Sequence, residues 1–151
     1  MQNEAGINKQ NDGLGRFIDA QQHDFKIALH ELKAGRKRSH WMWYIFPQIS
    51  GLGFSSTSIY YALKDLAEAS AYLKHPLLGT RLLEITKVLL ELPGNDARLI
   101  FGRPDDLKLK SCMTLFALLS GTQSVFQQVL NKFFNGEMDD KTLALLNQDN
   151  L

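Results

Sequence analysis

Three predicted helices place polar side chains where their periodicity requires apolar ones. Gln21 lies in the centre of the apolar stripe of the first helix, midway around the helical wheel between Phe17 and Phe25. Arg81 lies among the apolar directions of a second helix. A guanidinium that faces the interior needs a carboxylate or several acceptors, because an unpaired buried charge is strongly destabilising. Asp24, Glu68 and Asp105 are the candidate carboxylate partners of Arg81.

The third helix carries a second cation and two hydroxyl groups on one face. Its apolar residues surround the axis almost completely, which predicts a buried helix. Lys108, Ser111 and Thr114 nevertheless fall within an arc of about 120°, at roughly 100° per residue, and Asp105 borders that arc. If the three helices meet, their cations, hydroxyls and amide would suit an anionic ligand such as a phosphate or carboxylate. The same residues could instead cross-link helices, with Lys108 extending to water.

The segment His40-Trp41-Met42-Trp43 joins two large aromatic side chains to a titratable group. The indoles of Trp41 and Trp43 could stack on a base or sugar, and His40 could transfer a proton. His40 and Asp105 are therefore the candidate catalytic acid or base. In the competing interpretation the tryptophans fill the core and His40 caps a turn.

Composition and charge argue against several classes of function. The 151 residues include 17 Lys and Arg against 16 Asp and Glu, a formal net charge of +1. This balance disfavours nucleic acid and anionic membranes as partners, although the basic cluster at 36–38 beside aromatic residues is a weak RNA-contact signal. The one cysteine, Cys112, cannot form an intramolecular disulfide, and no histidine has the spacing of a helical metal site. We expect neither a metal nor a cofactor.

No targeting or membrane segment is visible in the sequence. No run reaches the roughly 20 apolar residues that a membrane span needs. The first four residues, Met1 to Glu4, lack the basic and apolar regions of a signal peptide. We therefore expect a cytoplasmic protein.

Helical periodicity, interrupted by glycine and proline, predicts an all-α fold, a compact and irregular single-domain bundle. Residues 1–12 are polar and aperiodic and are predicted to form a flexible lead-in, followed by one helical domain over 13–147 and a tail at 148–151. Segment 40–46 could be a short helix or a strand. The other helices are predicted at about 14–34, 65–74, 76–92, 104–119, 125–134 and 142–146, with a short turn at 95–101 and a further helix after the loop at 51–53.

Five strings of the chain carry a resemblance to a known family: RFIDAQ (16–21), ELKAGRKRSHWMWYIFPQISGLG (31–53), YLKHPLLGTRL (72–82), IFGRPDDLKLKSCMTLF (100–116) and FFNGEMDDKTL (133–143). Together they resemble the bacterial family known as domain of unknown function 1810, over about residues 14–146. The resemblance implies a small, mainly helical, single-domain protein and no particular activity. Cys112 stands where the family pattern has serine, so no serine nucleophile is assigned there. Members are sometimes labelled calpastatin, a name for long disordered inhibitors that a chain with 44% hydrophobic residues does not fit.

Two functions of different classes follow from these residues. The first is a polar pocket for an anionic small molecule, such as a nucleotide or sugar phosphate, with or without a reaction. The second is a protein-interaction module without chemistry, in which the inward polar cluster is only structural; the oligomeric state stays open. In the pocket, the cations hold the charge, an indole stacks, and the amide and hydroxyls orient the ligand; the ligand-binding residues are Gln21, Trp41, Trp43, Arg81, Lys108, Ser111 and Thr114.

Overall fold

The computed structural model describes residues 13–149, and over this range the chain is helical and contains no β-strand. The predicted all-α fold is confirmed. The predicted lead-in at 1–12 and the last two residues of the predicted tail lie outside the described range. The described helices are α1 (Gly15–Lys33), α2 (Met42–Ile45), α3 (Ser56–Tyr61), α4 (Leu66–Lys74), α5 (Leu78–Glu91), α6 (Ala97–Phe101), α7 (Asp105–Ser120), α8 (Val125–Phe134) and α9 (Asp140–Asp149).

Helix α7 runs through the interior of the bundle, as its nearly continuous apolar surface predicts. It packs against α8, α6, α9 and α4, and residues 111–117 are all buried. Cys112 is a free, buried cysteine, and burial raises the pKa of its thiol. A second layer forms where α1 packs against α5 and α2. None of the helices in residues 13–149 combines the length and hydropathy of a membrane span.

Local capping explains where several helices begin. The side chain of Asp65 accepts a hydrogen bond from the backbone N–H of Glu68 at 2.8 Å, which starts α4 at the predicted place. Helix α9 begins two residues before the predicted Thr142. The reason is that Asp139 caps it, accepting from the N–H of Thr142 at 2.9 Å and from its hydroxyl at 2.7 Å.

The ambiguous segment at 40–46 is a four-residue helix rather than a strand. It leads into an extended stretch in which Ile49 pairs in parallel with Leu63 as an isolated bridge. Two backbone hydrogen bonds make this pairing: Leu63 N–H donates to the carbonyl of Gln48 at 2.9 Å, and Ser50 N–H donates to the carbonyl of Leu63 at 2.8 Å. The bridge holds the chain after α2 against the end of α3.

Glycine at position 79 allows α5 to approach the end of α4. A Cβ atom added there would lie 1.9 Å from the carbonyl oxygen of Leu73. The obstacle is backbone, so no change of side-chain rotamer can relieve the clash. Gly79 therefore sets the close approach between the two helices.

We expect Gly79→Ala to lower the free energy of unfolding by about 3 kcal/mol or more, because one of the two backbones must move. Urea denaturation measures this change. Lys87→Ala, at an exposed position of the same helix, is the control and should stay within about 0.5 kcal/mol of the parent. A Gly79→Ala variant as stable as the Lys87→Ala variant would contradict the close packing.

Candidate ligand-binding site

The carboxylate of Glu31, near the end of α1, binds the segment that precedes α2. Its Oε1 accepts from the backbone N–H of Arg38 at 2.8 Å, the N–H of Ser39 at 3.0 Å and the indole N–H of Trp41 at 2.9 Å. Its Oε2 accepts from the hydroxyl of Ser39. Burial alone would raise the pKa of Glu31, but these hydrogen bonds outweigh it and lower the pKa to about 2.

These contacts decide between the two interpretations of the tryptophans, and they do so differently for each. Trp41 is fully buried, and its polar atom is bound to Glu31, so its contacts are those of a core residue. Trp43 is half-buried and lines a cleft. Only Trp43 is available as a surface on which a ligand could stack.

Gln21 is buried, as its place on α1 predicts, and its amide is fully engaged. Its Nε2 donates to the carbonyl of Tyr44 at 2.7 Å and to the hydroxyl of Tyr72 at 2.9 Å. Its Oε1 accepts from Nη1 of Arg81 at 3.4 Å. Burial raises the pKa of Tyr72, so this hydroxyl stays neutral. The four groups join α1, α2, α4 and α5.

None of the three candidate carboxylates pairs with Arg81. Its guanidinium lies over the ring of Phe25, 5.1 Å from the centroid, and within residues 13–149 its hydrogen bond goes to Gln21. Arg81 is only half-buried, so water can solvate the charge and no acid is required. The three candidate acids bind elsewhere: Asp24 accepts from the hydroxyl of Tyr44, Glu68 pairs with Arg16, and Asp105 pairs with Lys37 and Lys108.

Asp105 lies between two lysines at the start of α7. Its carboxylate is 2.9 Å from Nζ of Lys37 and 2.9 Å from Nζ of Lys108. Burial would raise the pKa of Asp105, but the two ammonium groups outweigh it and lower the pKa below its usual range. Asp105 is therefore ionised at neutral pH and has no proton to donate. Two cations share one carboxylate, which leaves a positive charge uncompensated.

The ammonium of Lys108 lies over the indole of Trp43, with Nζ 4.5 Å from the ring centroid. Both residues line a cleft of about 570 Å³, which we call the basic cleft, within the usual range for small-molecule sites. It lies between α2, α7 and the start of α9. Three lysines, two aspartates, a glutamine and a serine supply its polar groups: Lys108, Lys110, Lys141, Asp139, Asp140, Gln48 and Ser111.

Gln48 lines the basic cleft and was not identified from the sequence. Only 9% of its surface is exposed, and its carbonyl is held by the bridge to Leu63. Its side-chain amide has no hydrogen-bond partner among residues 13–149. Among residues 13–149 only Thr86 has a side-chain polar atom that is both fully buried and unpaired, so the Gln48 amide is open to the clefts it lines, where water or a ligand can bind it. The only sequence signal for Gln48 is a polar residue inside the apolar run 45–49.

The two predicted hydroxyl groups, on Ser111 and Thr114, make different contacts. The Ser111 hydroxyl donates to the carbonyl of Leu107 at 3.1 Å and keeps acceptor capacity, and the residue lines the basic cleft. The Thr114 hydroxyl donates to the carbonyl of Lys110 at 2.8 Å and accepts from the N–H of Asp139 at 2.9 Å. Thr114 thus joins α7 to the turn before α9.

The two catalytic candidates do not converge on the basic cleft. The His40 side chain is exposed and makes no hydrogen bond within the described part of the chain; its carbonyl accepts from the hydroxyl of Tyr44 at 3.2 Å. Neither His40 nor Asp105 lines the cleft. Their catalytic role stays a prediction. In residues 13–149 no group of His, Cys, Asp and Glu side chains is placed to hold a metal ion.

Comparison with known proteins gives a family and a structural relative. The family model described as "Protein of unknown function (DUF1810)" matches residues 11–146. The chain is similar to the conserved hypothetical protein Rv1873 from Mycobacterium tuberculosis, known from a crystal structure. The two are 47% identical, the match covers 89% of this chain and 96% of that one, and the TM-score is 0.86. No curated protein matches the chain.

We expect the stability of the protein to fall between pH 4.5 and pH 2 through Glu31. Its folded pKa of about 2 lies below the ordinary 4.5, so its stabilisation is complete above pH 4.5 and is lost as pH falls through 2. The difference corresponds to about 3 kcal/mol. Guanidinium denaturation across this range should show a flatter pH dependence for Glu31→Gln.

The control for this measurement is Glu91→Gln, at an exposed position of α5. It should keep the pH dependence of the parent. Equal pH profiles for the parent and Glu31→Gln would show that the Glu31 carboxylate does not hold the segment before α2.

Proposed function

The chain belongs to the DUF1810 family of proteins of unknown function, and we propose that it binds a small anionic molecule in the basic cleft. The observation that carries this proposal is the Lys108 ammonium, which lies over the indole of Trp43 and shares the single carboxylate of Asp105 with Lys37. Lys37, Lys108 and Asp105 together carry one net positive charge, and the lining of the cleft contains three lysines and two aspartates. Phosphates and carboxylates are the ligands that such a charge attracts.

Burial strengthens the attraction of Lys108 for an anion. About 20% of its side chain is exposed, and the indole beside it excludes water from one side. A charge in such a place interacts more strongly than one in bulk solvent, because the surrounding medium is less polarisable. The Asp105 carboxylate fixes the ammonium without neutralising both lysines. The site is therefore preorganised for negative charge.

The proposal places the ligand on three of the predicted residues. Lys108 holds the negative charge, Trp43 provides an aromatic wall, and Ser111 offers its hydroxyl oxygen. Lys110 and Lys141 add positive charge to the lining, and Asp139 and Asp140 add negative charge. Lys110 also lies 3.7 Å from the carboxylate of Glu137. We assign no reaction to the cleft, because neither catalytic candidate lines it.

The other predicted ligand residues do not line the basic cleft, and their contacts hold the segments that form it. Gln21 and Arg81 fix the end of α2, Trp41 fixes its start, and Thr114 fixes the turn before α9. Their side chains hold the walls of the cleft in place. A ligand need not touch them.

A second candidate function, the interaction module, is favoured by exposed apolar residues near α3. Phe54 is 89% exposed, Ile59 is 63% exposed and Tyr60 is 59% exposed. Large apolar side chains close together on a surface are typical of protein contacts. If the protein is an interaction module, small anions should not change its melting temperature. The experiment on Lys108 therefore separates the two functions.

We expect inorganic phosphate, ribose 5-phosphate or adenosine monophosphate to raise the melting temperature of the protein, since a ligand bound only by the folded state stabilises it. The Lys108→Gln variant should bind the best of these probes about tenfold more weakly, or about 1.4 kcal/mol, by isothermal titration calorimetry. Added salt should weaken binding to the parent.

Lys87→Gln, at an exposed position of α5, is the matched control and should bind as the parent does. If no probe shifts the melting temperature, the proposal fails. It fails equally if Lys108→Gln binds as tightly as Lys87→Gln.

A further inference from the structure

A second cleft adjoins the basic cleft and shares one wall with it. This small cleft has a volume of about 200 Å³ and lies between the chain at 48–54 and α3. Trp43, Gln48 and Leu52 line both clefts. The remaining walls of the small cleft are mainly apolar or aromatic and include Ile49, Tyr61 and Ala62. The two clefts therefore adjoin at these three residues, and the charged side chains line only the basic cleft.

We propose that one ligand occupies both clefts and that it is an adenine nucleotide. Its base lies in the small cleft with an edge on the Gln48 amide, and its phosphate lies in the basic cleft on Lys108. This inference rests on the proposed function and narrows its ligand to one chemical class.

The Gln48 amide is the first reason to place a base in the small cleft. It carries one acceptor and two donors, none of the described residues pairs with it, and it is open to the clefts although the residue as a whole is only 9% exposed. The backbone bonds with Leu63 fix the position from which it projects. Adenine presents an adjacent donor and acceptor at N6 and N7, the pair that a glutamine amide binds in a bidentate manner.

The size of the small cleft is the second reason to place a base there. Its volume equals that of roughly seven waters at ~30 Å³ each, which is room for one ring system. A sugar and a phosphate must then lie in the larger, basic cleft. A sugar phosphate alone would leave the apolar walls of the small cleft without a matching group.

Two glycines allow the chain that lines the small cleft to pack closely against its neighbours. At Gly53 a Cβ atom would lie 2.6 Å from the Ser58 hydroxyl oxygen and 3.7 Å from Cη2 of Trp43. At Gly51 the backbone has φ of +107°, and its Cβ would lie 3.0 Å from Leu145 of α9. The chain at 51–53 is therefore seated between α3, α9 and the indole.

Trp43 connects the two ends of the site. The ammonium of Lys108 lies over its ring on the side of the basic cleft, while its outer edge approaches Gly53 in the small cleft. A base beside this indole gains contact area and stacking, which for base–aromatic contacts is worth about 1–3 kcal/mol. The phosphate of the same molecule then meets Lys108.

Isothermal titration calorimetry of the full chain with four probes tests the inference: adenosine monophosphate, guanosine monophosphate, ribose 5-phosphate and inorganic phosphate. We expect adenosine monophosphate to bind at least tenfold more tightly than each of the others. Gln48→Leu should lower its affinity about tenfold and leave ribose 5-phosphate binding unchanged. Gln123→Leu, at an exposed position, is the matched control and should change neither.

A spectroscopic signature locates the base. In the parent, adenosine monophosphate should shift the indole N–H resonance of Trp43 and leave that of Trp41, which is bound to Glu31, in place. Ribose 5-phosphate binding as tight as that of adenosine monophosphate would overturn the inference, and with a loss in Lys108→Gln it would leave the proposed function standing. Equal affinity for guanosine monophosphate would overturn the adenine assignment. Absence of binding by every probe would overturn both proposals.

Discussion

The hydrogen bonds of the Glu31 carboxylate fix the geometry on which both clefts depend. Helix α2 has four residues, too few to be stable by itself. Its start is held by Glu31 through the indole of Trp41, and its end is held by Gln21 through the carbonyl of Tyr44. Both anchors belong to α1. Trp43 lies between the two anchored residues, Trp41 and Tyr44, so α1 determines its position.

The same anchored segment determines the charge of the basic cleft. Lys37 precedes Arg38, whose backbone N–H donates to Glu31. The ammonium of Lys37 forms an ion pair with Asp105 at the start of α7. Asp105 then holds Lys108. A carboxylate at the first turn of a helix is also favoured by the helix dipole. The hydrogen bonds that order the loop before α2 and the ion pairs that hold Lys108 at the basic cleft therefore belong to one network.

The fold could be predicted from the sequence because apolar spacing is a local property. The bounds of α8 and the burial of α7 follow from it directly. The partners of polar residues could not be predicted, since they depend on contacts between distant segments. Gln21 was identified as inward-facing, but its bonds to Tyr44 and Tyr72 required the packing of three helices. Gln48 was missed because the chain around it is extended and has no helical face to reveal it.

The burial of Cys112 has a consequence for the protein's chemistry. Its thiol is enclosed by α7 and its neighbours and stays protonated, because burial raises its pKa. Exchange with disulfides requires an accessible thiolate. While the chain stays folded, its only sulfhydryl cannot join two copies through sulfur. The native state is for this reason indifferent to oxidants and reductants that act through thiol exchange.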